Sequence, residues 1–176
     1  MKPILQQAWR AATLDRRAFG AWMFDSAANG DAALLVIAVA VIRWFTAVGL
    51  SFNVIGLISE VISTLASWVF LSAATWFVGT RLFDGSGDWQ TVLRLHGLAY
   101  LPYALVVLTL LPIPLVGYIP LVITVWFLVA AVVATSVALS FGTKNAALSV
   151  LLGAAVVFVI RMLIGGTFGA VIQTIN

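Results

Sequence analysis

The sequence predicts an all-α integral membrane protein, a bundle of five transmembrane helices with an N-terminal interfacial amphipathic helix. Of its 176 residues, 63% are hydrophobic and only 9% are charged, whereas charged residues make up about 25% of an ordinary soluble domain. A soluble core of this length cannot bury so much apolar surface, so the surplus is expected to face lipid. The apolar runs are continuous, unlike the alternating strands of a membrane barrel, and this favours helices.

Five apolar segments approach the length of about 20 residues that a helix needs to cross a bilayer. Charges, glycines and prolines set their limits, which we place at about 32–50, 54–81, 96–111, 115–141 and 146–165. Residues 1–30 are expected to form a cytoplasmic amphipathic segment, and residues 31–176 the five-helix transmembrane domain. In the polar connection after the second span, Asp88 is expected to cap a short helix that starts at Trp89.

The N-terminal segment has the pattern of an amphipathic helix over residues 2–23. Its apolar side chains gather on one side of the helix, at Leu5, Ala8, Trp9, Ala12, Phe19 and Met23. Such a helix is expected to lie in the headgroup layer. Arg16 falls inside the apolar sector and must extend to water or find a partner. The alternative is a partly ordered tail that only supplies positive charge.

Basic residues indicate the orientation in the membrane. On one side of the five-span layout lie Lys2, Arg10, Arg16, Arg17, Arg81, Arg94 and Lys144. Basic connections stay in the cytoplasm, so the N-terminus is predicted inside and the C-terminus outside. The same residues are scattered between apolar runs and form no phosphate-binding face, so no nucleic acid is expected as a partner.

Three charged residues lie inside the predicted spans and away from their ends: Arg43, Glu60 and Arg161. A charge at the centre of a span costs at least about 2.5–3.5 kcal/mol, and all three lie roughly 6–10 Å below the same surface. We expect Arg43 to contact Glu60. One hypothesis is a polar gate or a binding point for an anionic ligand. The alternative is a structural ion pair that joins the first two spans, with Arg161 extending outward.

Small and polar residues recur every four positions along the second span, at Ser59, Ser63 and Ser67. A neighbouring stripe has the same spacing, at Gly56, Glu60 and Thr64. Small residues with this period allow two helices to approach closely, so the serine stripe predicts helix packing. A polar translocation path is the alternative.

His96 is the sole histidine of the chain. It has the chemistry to ligate the metal of a haem or chlorophyll, but a single histidine without a second ligand is more often a hydrogen-bonded boundary residue. Trp68 and Trp126 fall near the middle of their spans and are expected to pack within the protein, or against a partner's helices or pigments. No cofactor or metal is therefore predicted.

The sequence contains no recognisable catalytic motif. There is no nucleophile elbow, no phosphate-binding glycine loop with a lysine, and no pair of carboxylates within one span. Cysteine is absent, which removes thiol catalysis and thiolate metal sites. We therefore expect a protein that is not an enzyme.

Three segments, taken in order, resemble the Yip family, the Ypt-interacting proteins. They are residues 83–88 (Phe-Asp-Gly-Ser-Gly-Asp), residues 95–103 (Leu-His-Gly-Leu-Ala-Tyr-Leu-Pro-Tyr), and the Pro-Ile-Pro-Leu-Val-Gly turn that begins at Pro112. The resemblance covers roughly residues 30–165 and implies about five spans with a cytoplasmic N-terminal segment. In eukaryotes the family is associated with small GTPases of vesicle traffic and with membrane shaping. This chain is more similar to the short bacterial members, which implies a bacterial cytoplasmic membrane.

These observations predict a non-enzymatic scaffold or accessory subunit of Yip type. Its expected partners are membrane lipids and other integral membrane proteins, with which it associates laterally in a larger complex. The alternative is a small transporter or channel gated by the layer of Arg43, Glu60 and Arg161. A third hypothesis is curvature sensing by the N-terminal amphipathic segment.

Overall fold

The structure, a computed structural model, describes residues 10, 13–23, 28–49, 53–112 and 116–175, without the side chains of residues 161 and 163–175. The α-helices in chain order are α1 (Arg16–Met23), α2 (Ala28–Val48), α3 (Val54–Leu82), α4 (Trp89–Ala99), α5 (Ile119–Ala138) and α6 (Thr143–Ile175). Two 3₁₀ helices, Leu101–Leu110 and Val116–Tyr118, lie between α4 and α5. The residues described contain no β-strand.

Five segments are long and apolar enough to cross a membrane, and this confirms the predicted fold class. They are Ala28–Val48, Val54–Leu82, Trp89–Leu110, Val116–Ala138 and Thr143–Ile160. Consecutive spans are joined by short connections, so the chain passes up and down through one bundle. We call one end of this bundle the basic end, because it carries α1, the connection 83–88 and the α5–α6 turn, with Arg16, Arg17, Arg81 and Lys144.

The third span begins earlier than the sequence predicts, at Trp89 and not at His96. It starts as α4 and continues as the 3₁₀ helix Leu101–Leu110. Pro102 lies at the start of this second part and has no N–H to continue the α-helical hydrogen bonds. A 3₁₀ helix rises about 2.0 Å per residue against about 1.5 Å in an α-helix, so the change of geometry lengthens the span.

Asp88 caps α4, as the sequence predicts. Its carboxylate accepts a hydrogen bond of 2.8 Å from the backbone N–H of Thr91, and the hydrogen bonding from Thr91 lowers the pKa of Asp88 below its usual value. The preceding connection is anchored to the bundle, since Trp76 Nε1 donates to the Gly87 carbonyl at 3.0 Å. The polar segment 83–88 is therefore a fixed part of the basic end.

The middle of the bundle is formed by α4 and α5. Their inward faces are completely buried and include Val92, Leu95 and Leu98 on α4 and Ala130, Ala131 and Ala134 on α5. The most extensive helix pairing is between α3 and α6, and few residues of α3 and of the described part of α6, Thr143–Ile160, are buried. The core is thus concentrated in α4 and α5, while α3 and α6 form an outer layer.

The described N-terminal helix is shorter than the predicted one and is packed differently. Residues 13–15 form a break with Leu14 at φ 65°, and α1 begins only at Arg16. Phe19 and Trp22 are buried against α4 and α5, so they contact the protein where the sequence suggested the headgroup layer. Arg16 has a partner, donating to Thr143 Oγ1 at 2.9 Å. Met23 is half-buried at the end of α1, and the other predicted apolar positions lie outside the described residues: Leu5, Ala8, Trp9 and Ala12.

Candidate functional site

The contact that we expect between Arg43 and Glu60 is present. Arg43 Nη2 on α2 lies 3.4 Å from Glu60 Oε1 on α3. Arg43 is five residues before the end of α2 and Glu60 six residues after the start of α3, so both lie about 7–9 Å inside the end of the bundle opposite the basic end. The side chain of Arg161 lies outside the described part of the chain, and its place in this cluster stays a prediction.

Two further residues support the ion pair. Thr64 Oγ1 donates to Glu60 Oε1 at 3.3 Å, and the Arg43 guanidinium carbon lies 5.6 Å from the centre of the Tyr103 ring, within the range of a cation–π interaction. The side chains of Arg43 and Glu60 nevertheless remain 40% and 27% exposed. Part of each charge is therefore available to a ligand.

The exposed part of the pair borders a cavity of about 770 Å³, which we call the ion-pair cavity. Hydroxyl groups line one part of it, at Ser63, Thr64, Ser67 and Thr124. A second cavity of about 520 Å³ extends past Trp44 to Val116 and Gly117. Four residues line both cavities, namely Arg43, Glu60, Val106 and Pro120. The ion pair thus lies where the two cavities meet.

An aromatic cluster forms another wall of the ion-pair cavity. The ring centres of Tyr100 and Phe127 are 4.9 Å apart, and those of Tyr103 and Phe127 are 5.0 Å apart. These distances are typical of interacting aromatic side chains. The first ring pair is tightly packed in the core, whereas Tyr103 reaches the guanidinium of Arg43. Rings and ion pair therefore belong to one site.

The serine stripe of α3 is divided between the surface and the cavity. Ser59 and Ser63 are exposed, and Ser67 is half-buried and donates to the Ser63 carbonyl at 2.6 Å. The close contacts within the chain lie on the neighbouring stripe, where a side chain at Gly56 would collide with the Trp44 ring and Thr64 is buried. In the first part of α3, packing inside the described protein therefore uses the glycine-containing stripe.

His96 is fully buried between three helices. Its Nδ1 lies 3.2 Å from Ser72 Oγ on α3, and its Nε2 lies 2.9 Å from Thr135 Oγ1 on α5. Both ring nitrogens thus have hydroxyl partners, which fits a hydrogen-bonded structural residue better than a metal ligand. Within the described part of the chain, no group of three His, Cys, Asp or Glu residues is arranged to hold a metal ion.

The two mid-membrane tryptophans have different surroundings. Trp68 is buried, and its Nε1 donates to the Leu93 carbonyl at 2.9 Å. It therefore packs within the protein, which was one of the expected arrangements. Trp126 is half-buried on α5.

Arg94 is an important residue whose role the sequence did not reveal. The sequence placed it among the basic residues on the cytoplasmic side of the five-span layout, but it lies within α4 and is only 6% exposed. Its Nε donates to Asn29 Oδ1 at 2.9 Å, and its Nη1 donates to the carbonyls of Trp22 and Met23 at 3.2 and 3.0 Å. These carbonyls end α1, where a cation is favourable. The sequence signal that could have placed Arg94 within a helix is the helical apolar pattern, which continues through Val92 and Leu95.

Fold and site define a multi-pass, all-helical membrane protein with an ion pair set between two cavities. The chain matches the Yip1 domain family over residues 15–165. It belongs to this family, and the resemblance noted in the sequence is confirmed. No curated protein and no solved structure matches the chain.

Proposed function

We propose that the protein is a non-enzymatic membrane scaffold or accessory subunit that binds other integral membrane proteins laterally through α3. The observation that carries this proposal is the exposed surface in the first half of that helix. Three isoleucines are exposed there, at Ile55, Ile58 and Ile62, with the exposed Ser59 and Ser63 between them. Small hydroxyl residues let a second helix approach closely and form hydrogen bonds across the contact.

The apolar surface of α3 also continues toward the basic end, where Val69, Phe70 and Phe77 are exposed. A partner helix that follows α3 therefore meets apolar side chains along most of its length. Its closest approach would be at the two serines, because bulky residues elsewhere keep helix backbones apart. We further propose that the protein resides in a bacterial cytoplasmic membrane with its basic end in the cytoplasm, as its charge distribution favours.

Site-specific photo-crosslinking in native membranes tests the proposal. A photo-reactive amino acid replaces Ile58 on α3 or, as a matched control, Val122 on α5, whose exposed fractions are 53% and 59%. Both positions lie three or four residues from the start of their helices, so they sample a similar depth. We expect protein adducts of defined size from position 58 and mainly lipid adducts from position 122. Equal yields of protein adducts at both positions would contradict the proposal.

A small transporter is the second candidate, and the two cavities around the ion pair are the observation that favours it. Toward the basic end, however, the bundle is closed by fully buried residues such as Leu95, Leu98 and Ala131. Transport would require a second conformation that opens this core. Solute flux into liposomes that is lost in Glu60→Gln would favour transport over the scaffold.

A further inference from the structure

We infer that the ion-pair cavity binds the headgroup of a zwitterionic phospholipid, in which a phosphodiester lies next to an ammonium group. In this arrangement Arg43 contacts the phosphate, Glu60 contacts the ammonium, and the acyl chains lie along the apolar wall of the cavity. This site goes beyond the lateral association proposed for α3, because its ligand is a lipid held inside the cavity, although Ser63 belongs both to the cavity edge and to the exposed face of α3.

The balance of charge at the site selects a ligand with both signs. Among the described side chains of the site, Arg43 and Glu60 contribute one positive and one negative charge, and they lie 3.4 Å apart. A simple anion would be attracted by Arg43 and repelled by Glu60. A simple cation would be attracted by Glu60 and repelled by Arg43. Uncompensated charge is costly at this depth. A ligand that is neutral in sum but carries both charges satisfies each partner without adding net charge.

The two side chains retain suitable atoms for such contacts. The bonds of Glu60 with Arg43 and Thr64 both use Oε1, so among the described residues Oε2 is left for an ammonium. Arginine carries five N–H donors, and its planar guanidinium is well suited to phosphate. Only Nη2 of Arg43 is used in its contact with Glu60. Hydrogen-bonding capacity therefore remains on both members of the pair.

The remaining walls match the other parts of a lipid. Tyr103 lines the cavity beside the ion pair, where its ring lies against the Arg43 guanidinium and helps to hold that group in place. Leu71, Ile123 and Val157 provide apolar surface for an acyl chain. The volume of about 770 Å³ lies within the range of about 300–1,000 Å³ that is usual for small-molecule sites.

The position of the opening favours a lipid over a water-soluble phosphate compound. Three residues at the edge of the cavity are exposed, namely Ser63 on α3, Thr124 on α5 and Phe158 on α6. All three lie on membrane-spanning helices, so the opening lies on a flank that the bilayer covers. A lipid can place its headgroup at the ion pair while its chains leave through this flank.

Native mass spectrometry of the purified full chain tests the headgroup assignment. Phosphatidylethanolamine and phosphatidylglycerol with identical acyl chains are added in equal amounts. We expect the wild-type protein to retain the zwitterionic lipid roughly tenfold better, which corresponds to about 1.4 kcal/mol. In Glu60→Gln the positive charge of Arg43 is no longer balanced, so the preference should shift toward the anionic lipid. Equal retention by the wild type, or a preference unchanged in Glu60→Gln, would overturn the inference.

A second pair of variants leaves the charges intact, so the test does not depend on how well Glu60→Gln folds. Val106 lines both cavities, whereas its neighbour Val107 is exposed on the surface. Val106→Phe should reduce lipid retention at least roughly fivefold, a size that about 1 kcal/mol produces, and Val107→Phe should leave it unchanged. Equal effects of the two variants would count against the cavity as the site.

Competition with soluble glycerophosphoethanolamine distinguishes a membrane lipid from a water-soluble phosphate compound as the ligand. It carries the phosphodiester and the ammonium but no acyl chain. At the concentration of the lipid, we expect it to leave the bound lipid in place, because it lacks the apolar contacts. If it displaces the lipid as well as a second lipid molecule does, the assignment to a membrane lipid is refuted.

Discussion

Arg43 and Arg94 are two arginines within spanning helices, and the protein stabilises them in different ways. Arg43 is paired with a carboxylate and an aromatic ring beside open cavities. Arg94 is almost completely buried and donates to the neutral oxygens of Asn29, Trp22 and Met23. The first arrangement leaves charge available to a ligand. The second fastens the end of α1 to the bundle through Nη1, while Nε binds Asn29 on α2.

Arg94→Met is expected to loosen this attachment. Three oxygens lose their charged donor, and because a hydrogen bond to a charged group contributes about 1.5–3 kcal/mol, we expect the free energy of unfolding to fall by about 3 kcal/mol. Local opening of α1 should also become easier, so trypsin should cleave after Arg16 or Arg17 at least about tenfold faster. Thermal unfolding in detergent and limited proteolysis measure the two effects.

Arg81→Met is the matched control for this variant. Arg81 is exposed near the end of α3, where its guanidinium lies over the Phe77 ring at 5.9 Å. An exposed cation–π contact contributes only about 0.5–1 kcal/mol, so stability and cleavage should change little. If the two methionine variants behaved alike, the hydrogen bonds of Arg94 would not hold α1 in place.

At the scale of single residues, the contact between Arg43 and Glu60 could be predicted, because the depth of the two residues in the membrane is enough to bring them together. Arg43 and Glu60 lie at similar distances from a short turn between consecutive helices, so their meeting follows from helix geometry. The partners of Arg94 could not be predicted in this way, because Trp22 and Met23 contribute backbone carbonyls, which carry no signature in the sequence. The same holds for the contact of Trp68 with the Leu93 carbonyl.

At the scale of the elements, the existence of the five spans was predictable and their limits were less so. The apolar runs determined the number of helices, but α4 begins seven residues earlier than the predicted third span. Arg94 and His96 interrupt the apolar run, so a short helix was expected from Trp89 but the span itself only from His96. Their polar groups are satisfied by α1, α3 and α5, which only the assembled bundle reveals.

Helices α3 and α6 approach each other closely at Gly153 of α6. A side-chain carbon added at Gly153 would lie 2.7 Å from Thr75 Oγ1 and 2.9 Å from the backbone nitrogen of Thr75. The backbone of α3 cannot move aside without separating the helices. Gly153→Ala is therefore expected to lower the free energy of unfolding by about 1–3 kcal/mol, the usual cost of overpacking. Thermal unfolding in detergent measures the change.

Gly30→Ala is the control, since it makes the same substitution on α2 where no atom lies within 4 Å of the added carbon. Alanine is favoured over glycine within helices by roughly 0.5–1 kcal/mol, so this variant should be neutral or slightly more stable. A Gly153→Ala protein as stable as Gly30→Ala would show that the helices can separate at no cost.

At the scale of the whole molecule, the two ends of the bundle differ in packing and in charge. The basic end is closed by α1, by the anchored connection 83–88 and by the hydrogen bonds of Arg94. The opposite end contains both cavities and the Arg43–Glu60 pair. A closed basic end and an open opposite end suit a protein that receives a ligand from one leaflet of the membrane.

The orientation of these ends can be tested by labelling single cysteines, because the natural chain contains none. Ser86→Cys and Ser140→Cys place exposed thiols at the basic end, and Tyr118→Cys places one at the opposite end. A membrane-impermeant maleimide is added to intact cells and to permeabilised cells. Since basic connections remain in the cytoplasm, the first two positions should react only after permeabilisation and Tyr118→Cys in intact cells.

The pattern of labelling separates the layout from the orientation. Residues 86 and 140 lie on different connections, and Ser86 N–H donates to the Leu139 carbonyl at 3.2 Å, so any correct layout places both on one side. If both were labelled in intact cells and Tyr118→Cys were protected, the five-span layout would stand with its orientation reversed. If residues 86 and 140 reacted from opposite sides, an odd number of crossings would separate them. The Arg43–Glu60 pair and the exposed face of α3 would then not lie in the membrane environment that the proposed lipid site and the proposed lateral contact require.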